Sequence, residues 1–366
     1  MKNRPIIDTT RHDTTRHDTL IFCREEAEKF SRSQLETLNK EININGNYQE
    51  WYEALADFRR LIQSKYIIFK IGRRYRHKIT LTSSGDLIDH HIISYLAPLD
   101  FKRRGWGNRI LRSSEQVIML ANYLKQKNTR LIYIALPNKC NIYPEIICDD
   151  LTLLNGKTIF VPQYRKFIRE LVTSGVEVID MLPVFMRHKE DFALFSKDHH
   201  VSISGAKLIA DTAAEYLRLT TKNITGDFNV DSEEQYIFLD DINDKNTELA
   251  RVFFTMKDGK RVPFWNQHSD ISKIAIFGDC NLQSYTSIGG GISANLSCNL
   301  NYPVYNYGRK LIFSECECPL TQNDLERLSE FDIVIYNAFA SASFVRSSHF
   351  SFRHPLRISS WDRINI

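Results

Sequence analysis

Asp198 and His200 stand two residues apart in LFSKDHHVSISGA, residues 194–206. In an extended segment, residues so spaced project to the same side. A carboxylate held beside an imidazole can fix its tautomer and support the charge it gains on taking a proton. His199, between them, should face away, and Ser202 or Ser204 can cap the helix that follows. D-x-H by itself fits a loop with chance histidines equally well. A second segment, IFGDCNLQSYTS at 276–287, runs from an apolar strand into Gly-Asp and then Cys280. Gly278 permits a sharp turn. At a helix head, backbone N–H groups can steady an anion. Strand–turn–helix corners of this kind are where exposed nucleophiles are built. A thiolate rather than a thiol is the nucleophile, so Cys280 needs a base such as His200. Asp279 would oppose ionisation if its carboxylate pointed at the sulfur. The plain reading of a free cysteine is a packed, inert thiol.

Other chemistry-bearing residue types lack a supporting pattern. His12 and His17 lie in the repeat DTTRHDTTRHDT, residues 8–19, too polar to build a core. His90 and His91 read as surface. Cys316 and Cys318 form a C-x-C without a second pair at metal-site spacing, so no metal is expected.

The elements that must position the two segments alternate in type. Val117, Leu120, Ala121 and Leu124 recur at helical spacing, and the apolar run 131–136 ends at Pro137. A helix is predicted over about 161–173, with Pro162 in its first turn and Gly175 past its end. Strand 176–179 closes at Asp180. Ser204–Leu217 predicts a helix with Ala206, Ile209, Ala213, Tyr216 and Leu217 on one face. Strand 273–277, helix 292–300, strand 303–305 ending near Gly308, a Thr321/Asp324 capping box and strand 333–336 ending at Asn337 complete the pattern. Five strands separated by helices predict an α/β fold with a parallel sheet covered on both faces. Ligands then bind at the carboxyl ends of the strands, which marks Lys139, Asp180, Asp279, Cys280, Gly308 and Asn337. The expected division is a disordered tail at 1–20, a helical extension at 21–63, the α/β domain at 64–345 and a C-terminal tail at 346–366. Tyr66–Ile71 reads as a strand, and 219–271 as an inserted segment with a β-hairpin.

The order PNKCNIYPE (137–145), IDMLP (179–183), DHH with GA (198–206) and GDC (278–280) resembles the alginate O-acetyltransferase group of the SGNH hydrolase superfamily. The resemblance covers roughly 60–340. It implies an SGNH-like, flavodoxin-like five-stranded sheet in circularly permuted motif order, since in most SGNH enzymes the nucleophile strand comes first. It implies Asp198 and His200 as acid and base, with Cys280 where the family has serine. It also implies Gly308 N–H and the Asn337 side-chain amide as oxyanion donors. Lys139 and Tyr143 match the family's strand exit, where Lys139 could bind an acidic sugar, seat the loop or form a corner salt bridge. The implied function is an acyltransferase, an O-acetyltransferase of a polysaccharide or glycan, with acetyl-CoA as a candidate donor and polysaccharide-biosynthesis proteins as candidate partners. The same site would serve an esterase if water took the acyl group. The Ser-to-Cys change leaves a third reading, a non-catalytic glycan-binding or scaffold protein.

Bulk properties agree with a globular chain. Of 366 residues, 43% are hydrophobic, enough for a sizeable core. A formal charge of +4 is too mild to imply nucleic acid. Arg73, Arg74, Arg76 and Lys78, and then Lys102, Arg103 and Arg104, read as solvated faces or as contacts to an anionic glycan or membrane surface. Seven cysteines, an odd number in a chain of this size, argue against a disulfide framework and for a reducing compartment. No run approaches the roughly 20 apolar residues of a membrane span. No apolar signal core opens the chain. A cytoplasmic location is therefore expected, or a periplasmic one if the N-terminus given is incomplete.

Overall fold

The computed structural model describes residues 27–36, 67–71, 75–81, 87–89, 106–143, 162–191, 193–196, 200–221, 224, 232–241, 244–255, 261–263, 272–283, 291–310, 312 and 320–339. The tail repeat, His90, His91, Lys102–Arg104 and Cys316/Cys318 lie outside these residues.

Five strands form one parallel sheet: β4 (Arg130–Leu136), β5 (Glu177–Asp180), β9 (Ile274–Gly278), β10 (Val304–Arg309) and β11 (Ile333–Phe339). Their order across the sheet is β10-β9-β11-β4-β5, and every pairing is parallel. This is the α/β sheet expected from the alternation. Strands β4, β9 and β11 are buried along almost their whole length, which is why they read as unbroken apolar runs rather than alternating ones. Side chains of one face stack in a row. Phe277 lies flat on Tyr336 at 4.7 Å, Tyr336 meets Tyr133 at 5.3 Å, and Phe167 stands edge-on to Tyr133 at 5.9 Å. After β9 the chain forms β10 on one side and β11 on the other. Its carboxyl end is therefore the switch point where such sheets bind ligands.

The helices around the sheet follow the sequence cues. Those used below are α1 (Trp106–Gln126), α2 (Lys139–Ile142), α3 (Pro162–Thr173), α4 (Met181–His188), α5 (Ile203–Thr220), α6 (Cys280–Gln283), α7 (Ile292–Leu300) and α8 (Gln322–Leu328). Helix α3 begins at Pro162, and Gly175, at φ +78°, takes the left-handed conformation just past its end. All five residues expected on the inner face of α5 are buried. The Thr321/Asp324 capping box forms. Helix 27–36 packs on the core through Leu35, and its exposed Phe30 meets the Tyr216 ring edge-on at 5.0 Å.

Three expectations change in detail. Ile67–Ile71 is a strand, β1, but it pairs antiparallel with β2 (Tyr75–Leu81), and β2 with β3 (Leu87–Asp89), in a sheet of their own. The inserted segment holds two long strands, β6 (Ser232–Asp241) and β7 (Asp244–Thr255), with a short third, β8 (Arg261–Pro263). Neither Gly308 nor Asn337 ends its strand. Gly308, at φ +90°, sits in an irregularity of β10 whose register against β9 shifts between Asn306 and Gly308. Asn337 lies inside β11, two residues before its end.

Candidate active site

The corner at the end of β9 is built from four consecutive residues. Gly278 is there for space: a Cβ on it would lie 1.9 Å from the Asn337 carbonyl oxygen of the neighbouring strand. Asp279 follows, fully buried, and its carboxylate does not wait for a ligand. Oδ2 accepts from the Phe339 N–H at 2.7 Å, tying down the end of β11. Oδ1 accepts from the Asn281 N–H at 2.9 Å and from Asn281 Nδ2 at 3.1 Å. Burial pushes the Asp279 carboxyl above the usual range. The N–H bonds from Phe339 and Asn281 and the charge of nearby His200 pull the other way. Both oxygens are thus turned to amide donors of Asn281 and Phe339. Cys280 opens α6, is partly exposed and carries no disulfide.

The other half of the site is the segment 193–202, folded back on itself before α5. Phe195 and Val201 form an antiparallel bridge. Ser196 N–H donates to the His200 carbonyl at 2.9 Å, and Ser202 N–H to the Leu194 carbonyl at 3.0 Å. Ser202, not Ser204, caps the helix: its Oγ accepts from Gly205 N–H at 2.9 Å and donates to the Ala193 carbonyl at 2.6 Å. Gly205 is required by the same fold-back, because a Cβ would stand 2.3 Å from the Leu194 carbonyl oxygen. His200 emerges from this frame partly exposed. Asp198 and His199 lie outside the described residues, so the acid assignment rests on the sequence.

Lys139 and Tyr143, expected at a substrate, hold this segment. The Lys139 side chain is only 5% exposed, and its ammonium donates to the Ser196 carbonyl. The Tyr143 hydroxyl accepts from Leu194 N–H at 3.3 Å and donates to the Lys189 carbonyl at 3.2 Å. Its ring packs edge-on to Phe195, which Phe185 meets from another side. Of the roles weighed for Lys139, the geometry is that of seating the loop. Asp180, at the end of β5, caps α4 through Leu182 N–H and pairs with buried Arg165, a structural corner.

The two halves meet through Asn281, which the sequence reading passed over. Its Oδ1 accepts from Val201 N–H at 2.9 Å, and Val201 directly follows His200. The signal that could have found it was its place: an amide residue immediately after the nucleophile position in a short helical turn.

The oxyanion residues expected from the resemblance sit differently. Gly308 already donates its N–H to Asn306 Oδ1 at 2.9 Å, and Asn306 Nδ2 donates to Ser293 Oγ at 3.0 Å. Asn337 is 0% exposed, with no hydrogen-bond partner for either side-chain polar atom among the described residues. The Gly308 N–H would have to leave Asn306 to meet a reacting carbonyl.

Known proteins resemble this chain over part of its sequence and in its fold. Residues 102–238 match the family model described as the SGNH hydrolase-like domain of acetyltransferase AlgX. Among solved structures, the O-acetyltransferase domain of Pseudomonas putida AlgJ superposes with a TM-score of 0.53 at 14% identity, over 78% of this chain and 98% of that one. Pseudomonas aeruginosa AlgX follows at 0.44 and 16% identity, over 76% and 68%. Bacillus cereus PatB1 with a sulfonyl adduct stands at 0.45 and 12% identity, over 76% and 97%. No curated protein matches the sequence. The fold is thus SGNH-like, and the resemblance to the alginate O-acetyltransferase group is borne out, with three of its four motifs inside the matched residues and the GDC corner at 278–280 beyond them. Among the described residues no helix is long and apolar enough to cross a membrane.

Proposed function

We propose that the chain is an O-acyltransferase, an O-acetyltransferase of a glycan, working through a cysteine acyl-enzyme. One observation carries this reading: the Asn281–Val201 bond ties the turn bearing Cys280 to the backbone bearing His200 at the switch point of the sheet. In the first half-reaction His200 takes the thiol proton and Cys280 Sγ attacks the acyl carbon of an activated donor, acetyl-CoA in the simplest case. The tetrahedral adduct collapses, and the leaving group departs with the proton His200 holds. In the second half, His200 takes the proton of a sugar hydroxyl as that oxygen attacks the thioester. The carbon–sulfur bond breaks and the thiolate recovers the proton. Asp198 would orient His200 and support its charge.

The test is intact-mass analysis after incubation with a small activated acetyl ester, with and without a sugar acceptor. An acetyl adduct on the Cys280 peptide that disappears only with acceptor supports the transferase. Turnover by water alone makes the protein an esterase. No adduct, with Cys280 alkylated no faster than Cys298, rejects the acyl-enzyme and favours a non-catalytic glycan-binding role.

A further inference from the structure

We infer that Asn281 is a positioning residue for the base: it acts through His200 and itself touches neither the acyl group nor the acceptor. The inference rests on the reading of Cys280 and His200 as nucleophile and base.

Asn281 is 2% exposed, its Oδ1 on Val201 N–H and its Nδ2 on Asp279. Its donors and acceptor are not interchangeable. The carbonyl oxygen faces a backbone N–H, that of Val201, and so must accept. The amide nitrogen faces a carboxylate oxygen of Asp279 and so must donate. The orientation of the amide is therefore fixed by chemistry at both ends. The network continues from Asp279 to Phe339 N–H at the end of β11. Three separate pieces of chain are joined in this way: the end of the central strand, the turn carrying Cys280, and the residue after His200. Val201 is itself 1% exposed, so its N–H has no water to fall back on. The remaining bonds of the segment, from Lys139 to Ser196 and from Ser202 to Leu194, fix its stem. The Asn281 bond ties that stem to the nucleophile turn.

Substitutions separate the two ends of the amide. Asn281→Ala removes both bonds. Asn281→Asp keeps an acceptor for Val201 but sets a second carboxylate against Asp279. Two carboxylates so placed share a proton as pH falls, and the protonated pair restores the donor. Asn281→Asp should therefore fail at high pH and recover at low pH, whereas Asn281→Ala should not recover.

The experiment measures the iodoacetamide alkylation rate of Cys280 by peptide mapping from pH 5.5 to 8.5, for wild type, His200→Ala, Asn281→Ala and Asn281→Asp. Thermal unfolding of each is followed in parallel. If His200 activates the thiol, His200→Ala slows alkylation at pH 7 by about tenfold. Asn281→Ala is expected to slow it by a similar factor while remaining folded at the assay temperature. Asn281→Asp is expected to be slow at pH 8 and to approach the wild-type rate at pH 5.5. A purely structural amide would lower the unfolding temperature and leave the pH profile of Cys280 as in wild type, which would overturn the positioning role alone. If wild type and His200→Ala react alike, the nucleophile–base reading fails and Asn281 has nothing to position. Should Asn281→Ala not fold, Asn281→Asp decides: no gain relative to wild type on lowering the pH rejects the inference.

Discussion

The two ends of the parallel sheet are both closed by polar networks, yet they leave different things over. At the amino ends, Arg130 of β4 and Glu177 of β5 form a two-pronged pair, Nε to Oε1 at 3.0 Å and Nη2 to Oε2 at 2.6 Å. Arg130 also donates to the Thr221 hydroxyl at 2.6 Å, and the Tyr216 hydroxyl donates to Glu177 Oε2 at 2.7 Å. Burial, then the neighbouring Glu177 charge, pushes ionisation of Tyr216 far above the ordinary tyrosine range. Charge meets countercharge in this network, and among the described residues no reactive side chain projects from it. At the carboxyl ends, Asp279, Asn281, Lys139 and Tyr143 are equally occupied, but they frame two partly exposed groups, Cys280 and His200. Burial and satisfaction of polar groups do not by themselves distinguish structure from function. What the network holds out does.

The largest effects should separate the two ends cleanly. His200→Ala is expected to cut acyl transfer by at least about 100-fold, the usual worth of a general base, with the unfolding midpoint close to wild type. Arg130→Ala should do the reverse. Removing Arg130 takes its two bonds from the half-buried Glu177 carboxylate and costs about 2 kcal/mol, while kcat stays within twofold wherever the protein remains folded. Chemical denaturation and initial-rate kinetics on the same samples decide it. A large kcat loss in Arg130→Ala would mean the amino-end network reaches the site after all.

A third network sharpens the contrast, because it sits beside the carboxyl end of β10. Asp324 accepts from Thr321 N–H at 2.8 Å, the Thr321 hydroxyl at 2.7 Å, the Tyr307 hydroxyl at 2.7 Å and Lys310 at 3.0 Å. Burial alone would raise its carboxyl, but the bonds from Thr321, Tyr307 and Lys310 outweigh it and hold the value at about 2. A carboxyl lowered on folding stabilises the folded state above its unfolded value. Its contribution is whole above roughly pH 4 and fades as pH falls toward 2. Asp324→Asn should therefore be less stable than wild type at pH 6, and the gap should close between about pH 4 and pH 2. Transfer activity at pH 7 should be unaffected. A gap unchanged down to pH 2 would show that the carboxylate charge is not what these donors hold.

The parallel sheet was legible because strands buried on both faces announce themselves as apolar runs, and because Pro162, Gly175 and the Thr321/Asp324 box punctuate the helices. The Asp–His loop and the Cys280 corner were legible as short motifs with a shared chemical logic. What stayed hidden was long-range. Pairing of β1 with β2 instead of the main sheet is a choice of partner that period and propensity do not encode. Asn281 reads as an ordinary turn residue until Val201, 80 positions away in the chain, is seen against it. Gly308 shows the same limit in reverse: the glycine was noticed, but its reason, a left-handed φ within a shifted register, needed the neighbouring strand.

Tyr143 offers the smallest effect and the finest test, because a substrate contact and a loop latch predict different outcomes. Its hydroxyl makes two bonds, at 3.3 and 3.2 Å, both long for hydroxyl bonds to backbone. Both lie within the frame of segment 189–196 and neither points to open space. The ring, packed on Phe195, would remain in Tyr143→Phe. Losing two weak bonds at a partly exposed position should cost no more than about 1 kcal/mol. If the hydroxyl serves only as a latch, any drop in kcat should be below threefold and equal for a small sugar and an extended glycan acceptor. If it binds the acceptor, KM for the extended glycan should rise several-fold while the acyl-enzyme still forms from the small ester at the wild-type rate. Steady-state kinetics with the two acceptors, set beside the burst of acyl-enzyme, separates these outcomes. A KM change confined to the extended glycan would move Tyr143 out of the frame and into the acceptor site.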